Sequence, residues 1–186
     1  MAEVDRSVGT LNGTNGNTFF GTRLQEQVGT SVSILGDING DGIDDVAVGS
    51  PASVTSGRPE AVHILYGSST PAPFGIAPST LNGGNGFSLT RSSRAGFGIS
   101  VNGVGDVNGD RIDDFIIGAP NGGTSQAGES YVVFGQQGAQ PFPQNVNIDS
   151  LRANSGILLR GASGDNAGDS VSGAGDINGV NIDDYL

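Results

Sequence analysis

The chain repeats itself at a period of about 70 residues, and this restricts its fold more than any other property. Gly36-Asp37 opens the decapeptide GDINGDGIDD, Gly105-Asp106 opens GDVNGDRIDD, and Gly175-Asp176 opens GDINGVNIDD. Other landmarks recur around it in one order. Upstream, Val28-Gly-Thr-Ser-Val32 returns as Phe97-Gly-Ile-Ser-Val101 and Ala167-Gly-Asp-Ser-Val171. Further upstream, Thr10-Leu-Asn-Gly13 returns as Thr80-Leu-Asn-Gly83 and, more loosely, as Ser150-Leu-Arg-Ala153. Downstream, Gly49-Ser-Pro51 matches Gly118-Ala-Pro120, and Val62-His-Ile-Leu-Tyr-Gly67 matches Tyr131-Val-Val-Phe-Gly135. The units run approximately over 10–79, 80–149 and a truncated 150–186. The 33 glycines are therefore periodic punctuation between short segments.

Each unit reads as short strands between turns. In the second unit, Ile99 to Val104, Phe115 to Gly118 and Ser130 to Phe134 form three strands, and Gly156 to Arg160 supplies a fourth. No segment carries a capped helical pattern of ten or more residues. Four antiparallel strands per unit predict an all-β fold of β-propeller blades, with longer loops than the shortest blade families have. A β-helix or solenoid repeats at shorter periods. Propellers have about 4–8 blades, so the 186 residues hold an incomplete ring of about two and a half. Asn17 to Thr22 matches the fourth strand of a preceding blade, and Asp183 to Leu186 stops inside a second strand. Both ends leave strand edges to be covered. The expectation is a fragment, or a homo-oligomer whose copies complete one ring.

Composition excludes several functions. There are 8 Lys and Arg against 19 Asp and Glu, a net charge of -11. Phosphate backbones demand basic residues, so nucleic acid is excluded as a partner. No apolar run approaches the length of a transmembrane segment. With no cysteine there is no disulfide scaffold, thiolate metal site or Cys nucleophile.

The acidic residues concentrate in the three repeated loops. In the first, Asp37, Asn39, Asp41, the carbonyl of Ile43 and Asp45 alternate around one centre. Ca²⁺ takes six to eight oxygens at short range, and carboxylates supply charge as well as oxygen. Gly42 permits the positive φ that reverses the chain. An EF-hand would need Glu at loop position 12 between helices, and Val48 stands there. Asp44 faces away by alternation, as surface charge or as partner in a backbone hydrogen bond. The second loop keeps Asp106, Asn108, Asp110, Ile112 and Asp114, with Arg111 in place of the turn glycine. The third keeps Asp176, Asn178, Ile182 and Asp184, but Val180 replaces one carboxylate and Asn181 the glycine. Asp, Asn and Gly also form turns without any metal. Turn formation alone does not account for three carboxylates held within a few ångström of each other.

The order Gly-x-Ser-Val, then GDINGDGIDD, then Gly-Ser-Pro or Gly-Ala-Pro resembles the FG-GAP repeat, which builds the propeller head of integrin α subunits. Phe97-Gly98 and Gly118-Ala119-Pro120 carry that pattern in full, Val28-Gly29 and Gly49-Ser50-Pro51 with substitutions. The long unit is more similar to repeats of large bacterial secreted proteins. The resemblance implies that Ca²⁺ loops join the first and second strands of each blade, opposite the ligand-binding loops. It implies the metal residues named above in the first two loops, and a secreted or cell-surface, non-enzymatic module for adhesion or protein recognition. Its partner would be an extracellular protein or glycan.

Two other functions compete with this one. A glycan-binding, lectin-like propeller would use Tyr66, Tyr131, Phe74 and Phe142 as stacking platforms. An accessory domain of a secreted hydrolase would leave catalysis elsewhere. The single histidine, His63, lies in a strand with no titratable neighbour placed by any motif, so no catalytic residue is assigned. The loops Thr70 to Pro78 and Gln140 to Pro143 vary most between units and would carry specificity. Asn12-Gly-Thr14 is a glycosylation sequon.

Overall fold

The computed structural model describes residues 17–22, 25–52, 59–70, 75–93, 95–138, 142–151 and 153–186. The Thr10 landmark, the sequon at Asn12, Phe74 and parts of both proline-rich loops lie outside them. The described residues form eleven strands and three single 3-10 turns. The first blade orders β1 (Val32–Gly36), β2 (Asp45–Ser50), β3 (Glu60–Leu65) and β4 (Gly86–Arg91) side by side, each pair antiparallel. The second repeats this with β5 (Val101–Gly105), β6 (Asp114–Ala119), β7 (Glu129–Val133) and β9 (Gly156–Arg160). The third contains β10 (Gly173–Gly175) paired with β11 (Asp184–Tyr185). These are antiparallel meanders of partial propeller blades, as the repeat predicts, and not the parallel coils of a β-helix.

Register follows the repeat. Val32 pairs with Val48 and Val101 with Ile117, and each first strand carries an irregularity two residues before its aspartate loop. The strand β8 (Asn145–Asn147) was not predicted. It runs parallel to β4, with Val146 opposite Leu89. One repeat earlier, Ile76 bridges Phe19 in the same parallel sense. Part of each proline-rich connection therefore reaches back to the outer strand of the preceding blade. Only Val146 among the polar residues 144–147 hints at this, too short a signal for a strand.

The apolar runs of the second blade are buried on both faces. Phe115, Ile117, Tyr131 and Val133 join the main core with Leu35, Val62, Ile64, Phe87 and Phe97. Ile116 and Val132 face the other way, onto Val104 and Val171. A sheet covered on both sides reads as continuous hydrophobicity rather than alternation, and Phe-Ile-Ile and Tyr-Val-Val are such runs. Phe97 packs edge-on against Tyr131 and is fully buried. Phe142 stacks on Phe87, and Tyr66 leans on the same ring. The three described aromatics considered as sugar platforms thus pack into the protein.

Candidate metal loops and the joints between blades

Each aspartate loop joins the first strand of a blade to its second: 37–44 between β1 and β2, 106–113 between β5 and β6, and 176–183 between β10 and β11. Asp37 closes the first loop by accepting from the amides of Gly40, Asp41 and Gly42. Asn39 accepts from the Asp41 amide, and Asp41 from Ile43. Asp106 and Asn108 repeat these bonds, with Arg111 N taking the place of Gly42 N. The turn needs a left-handed residue at that point: Gly42 has φ 86°, Arg111 73° and Asn181 59°. Arg111 is therefore strained, while Asn tolerates the region better.

Asp45 and Asp114 close their loops from inside the fold. Both are fully buried. Asp45 accepts from Ile38 N at 3.0 Å and Gly67 N at 2.8 Å; Asp114 accepts from Val107 N and Gly135 N at the same distances. Burial pushes the Asp45 carboxyl up to about 7, its two amide donors pull it down, and the charges of Asp41 and Asp37 push it up again. Asp114 is raised to about 7 by burial in the same way, with Asp110 and Asp106 adding to the effect. Two buried carboxylates thus sit among like charges. Three carboxylates, an amide oxygen and a carbonyl are hard oxygen donors, and their chemistry fits a divalent cation such as Ca²⁺. In the arrangement described, however, Asp41 turns to the side chain of Asn39. Among the described residues no three acidic or histidine side chains converge on one metal position. The third loop differs. Asn178 donates to both oxygens of Asp184, and Asp176, fully exposed, is held low chiefly by the Asn181 amide and further by those of Val180 and Gly179.

The structure also assigns roles that the sequence left open. Asp113, the counterpart of Asp44, turns to the preceding blade and accepts from Asp37 N at 2.8 Å; its own amide donates to the Asp37 carbonyl. Asp183 and Asp106 repeat both bonds. The first acidic residue of the Asp-Asp pair is thus a clasp between neighbouring loops in the second and third units, whereas Asp44 stays exposed. Gln136 N and Gly138 N further cover the first loop by donating to the carbonyls of Ile38 and Asn39. Asn39 is consequently buried, whereas Asn108 and Asn178 are exposed.

Glu60, on β3, is a second clasp. Its buried carboxylate accepts from the amides of Ala95, Gly96 and Phe97, at the start of the next blade, at 2.9 to 3.0 Å. The corresponding Glu129 instead pairs with Arg91 and Arg160 and takes the hydroxyl of Tyr131. Burial opposes its charge, and those partners more than offset it, leaving its pKa lowered. Glu60 and Glu129 stand 69 residues apart, each the first residue of its strand. A buried acid at a repeated position was the available signal.

A profile of the FG-GAP repeat matches residues 28–65 and 97–133. Integrin alpha-5 of Xenopus laevis is 33% identical over 135 residues, which is 69% of this chain and 12% of that protein. Integrin alpha-IIb of Homo sapiens is 32% identical over 155 residues, 76% of this chain and 14% of that protein. Integrin alpha-2 of Mus musculus is 38% identical over 91 residues, 49% of this chain and 7% of that protein. The blades, their loops and these matches together define an FG-GAP repeat protein of the integrin α-like propeller type. The chain spans about an eighth of the length of such relatives.

Proposed function

We propose that this chain is a calcium-binding FG-GAP propeller module that serves extracellular adhesion or protein recognition. What supports the metal is the repetition of one oxygen-rich loop between the first and second strands of each blade, closed in the first two blades by a buried aspartate. Asp37, Asn39, Asp41, Ile43 and Asp45 would hold the ion in the first loop, and Asp106, Asn108, Asp110, Ile112 and Asp114 in the second. Asp176, Asn178, Ile182 and Asp184 would form a depleted third site. The bound ion would neutralise the clustered carboxylates and fix a long loop that has little core of its own. Donor sets and cover order the affinities: the first loop tightest, then the second with its strained Arg111, then the third.

The recognition role rests on the likeness to integrin α subunits, and the ligand would be an extracellular protein. The reading is of a binding module rather than an enzyme. His63 is buried against Ser88 and Phe19 and serves packing. Among the described residues no helix is long and apolar enough to cross a membrane. Calorimetric titration tests the metal. Ca²⁺ should bind with dissociation constants of roughly 10⁻⁴–10⁻³ M, as extracellular modules do, and Asp41→Asn should abolish the tightest site. No heat of binding and no change in melting temperature on adding millimolar Ca²⁺ would refute the metal reading.

A further inference from the structure

Two joints link the three blades, and each carries the same cross-connection between aspartate loops. Asp113 takes both backbone groups of Asp37: its carboxylate accepts from the Asp37 amide at 2.8 Å, and its amide donates to the Asp37 carbonyl at 3.2 Å. Asp183 takes both backbone groups of Asp106 in the same way, at 3.1 and 3.0 Å. The glycine that opens each decapeptide makes room for this contact. A Cβ on Gly36 would overlap the Asp113 carboxylate, and a Cβ on Gly105 would overlap that of Asp183. Both glycines stand at positive φ, 82° and 70°. The Gly-Asp start of a loop is thus shaped to receive an acid from the blade that follows. The connection runs on into the loop closure. The Ile112 carbonyl, an expected ion donor of the second loop, shares its peptide group with the amide that bonds the Asp37 carbonyl. The peptide group of the Asp37 carbonyl in turn presents the Ile38 amide to Asp45 Oδ2 at 3.0 Å. Ile182, Asp183, Asp106, Val107 and Asp114 repeat the chain, with both bonds at 3.0 Å. Hydrogen bonds linked in this way polarise and strengthen one another. Both the first and the last carboxylate of a loop are therefore reached from the next blade.

We propose that Asp113 and Asp183 are positioning residues for the metal loop of the preceding blade: Asp113 sets the first loop and Asp183 the second, although each lies in the sequence of the loop that follows. The inference rests on the reading of these loops as Ca²⁺ sites. Neither carboxylate is one of the ion's own donors. Each acts through the backbone of Asp37 or Asp106, whose side chain gathers three amides of its own turn. A displaced Asp37 would carry that turn with it and move the donors Asn39 and Asp41 away from Asp45. Partners that orient metal ligands from outside typically set about 10–100-fold in affinity.

Amide NMR during addition of Ca²⁺ tests this loop by loop, with Gly40 and Gly42 reporting the first loop and Gly109 the second. In Asp113→Ala the dissociation constant of the first loop should rise roughly tenfold, while that of the second stays within about twofold. Asp183→Ala should reverse the pattern, weakening the second loop and sparing the first. Asp113→Asn keeps an acceptor oxygen for the Asp37 amide but drops the charge, and should retain most of the first loop's affinity. The proposal fails if Asp113→Ala leaves the first loop unchanged or weakens the second as much. It fails equally if Asp113→Asn loses as much as Asp113→Ala, because the carboxylate would then act by charge alone. If Asp183→Ala weakens both loops alike, the effect is general loosening and the proposal is again overturned. If no loop glycine shifts with millimolar Ca²⁺ in the unchanged chain, the metal reading falls and takes this proposal with it. Clear shifts in the unchanged chain with the wrong pattern in the variants overturn the proposal alone.

Discussion

Glu60 has three amide donors on one buried carboxylate. Removing it takes away the acceptor that those three amides share beneath the joint. A buried donor without its acceptor costs about 1–3 kcal/mol, so Glu60→Ala should lose roughly 3 kcal/mol as a lower urea midpoint at unchanged slope. His63 makes a pH prediction. Burial pushes its imidazole down to about 4, with the charge of Glu26 working the other way. The unfolded histidine titrates near 6.5, so as pH falls the unfolded chain takes up the proton first. The stability contributed by the neutral ring is therefore complete above pH 6.5 and is lost as pH falls to 4. The full difference is on the order of 3 kcal/mol. Other groups titrate in the same range, so the quantity to measure is the stability gap between the chain and His63→Gln. That gap should shift against the chain between pH 7 and pH 4.5; a constant gap would remove His63 as the cause.

At the scale of elements, the aspartate loops are also the places where blades are fastened. Asp113→Ala should cost about 1 kcal/mol, the net worth of one hydrogen bond, because the amide of residue 113 still reaches the Asp37 carbonyl. Hydrogen exchange should report it locally: faster at the Asp37 amide, unchanged in the paired amides of β6 and β7. Asp44→Ala removes the same side chain where it faces solvent and should stay within about 0.5 kcal/mol of the unchanged chain. Equal losses at the two positions would show that the carboxylate acts through overall charge. The contrast marks how far the sequence could be read. The loops and their strands were legible because turn residues and alternating oxygen donors have fixed local spacing. Asp113 and Glu60 were not, because each acts on a blade one repeat away. β8 stayed hidden because its three residues make sense only beside β4.

At the scale of the molecule, repetition defines the architecture while the joints decide how it unfolds. Blades one and two share a single core that runs from Leu35 on β1 to Leu158 on β9. The third blade joins through a smaller cluster, in which Val171 and Tyr185 meet Val104, Ile116 and Val132. In a linear array, stability is close to a sum of unit and neighbour terms, so a blade with a weak neighbour term opens first. The clasp of Asp183 on Asp106 is the same as that of Asp113 on Asp37, and the difference therefore lies in buried apolar surface rather than in hydrogen bonds. β1 to β7 and β9 should exchange their amides together, through one cooperative opening. β10 and β11 should exchange earlier, through local opening at lower free energy. Val171→Ala removes apolar contact only from the smaller cluster. It should speed exchange in β10 and β11 and leave the slowest amides of β2, β3, β6 and β7 unchanged. If those slow amides accelerate equally, the three blades unfold as one unit and the smaller cluster is not a separate weak link.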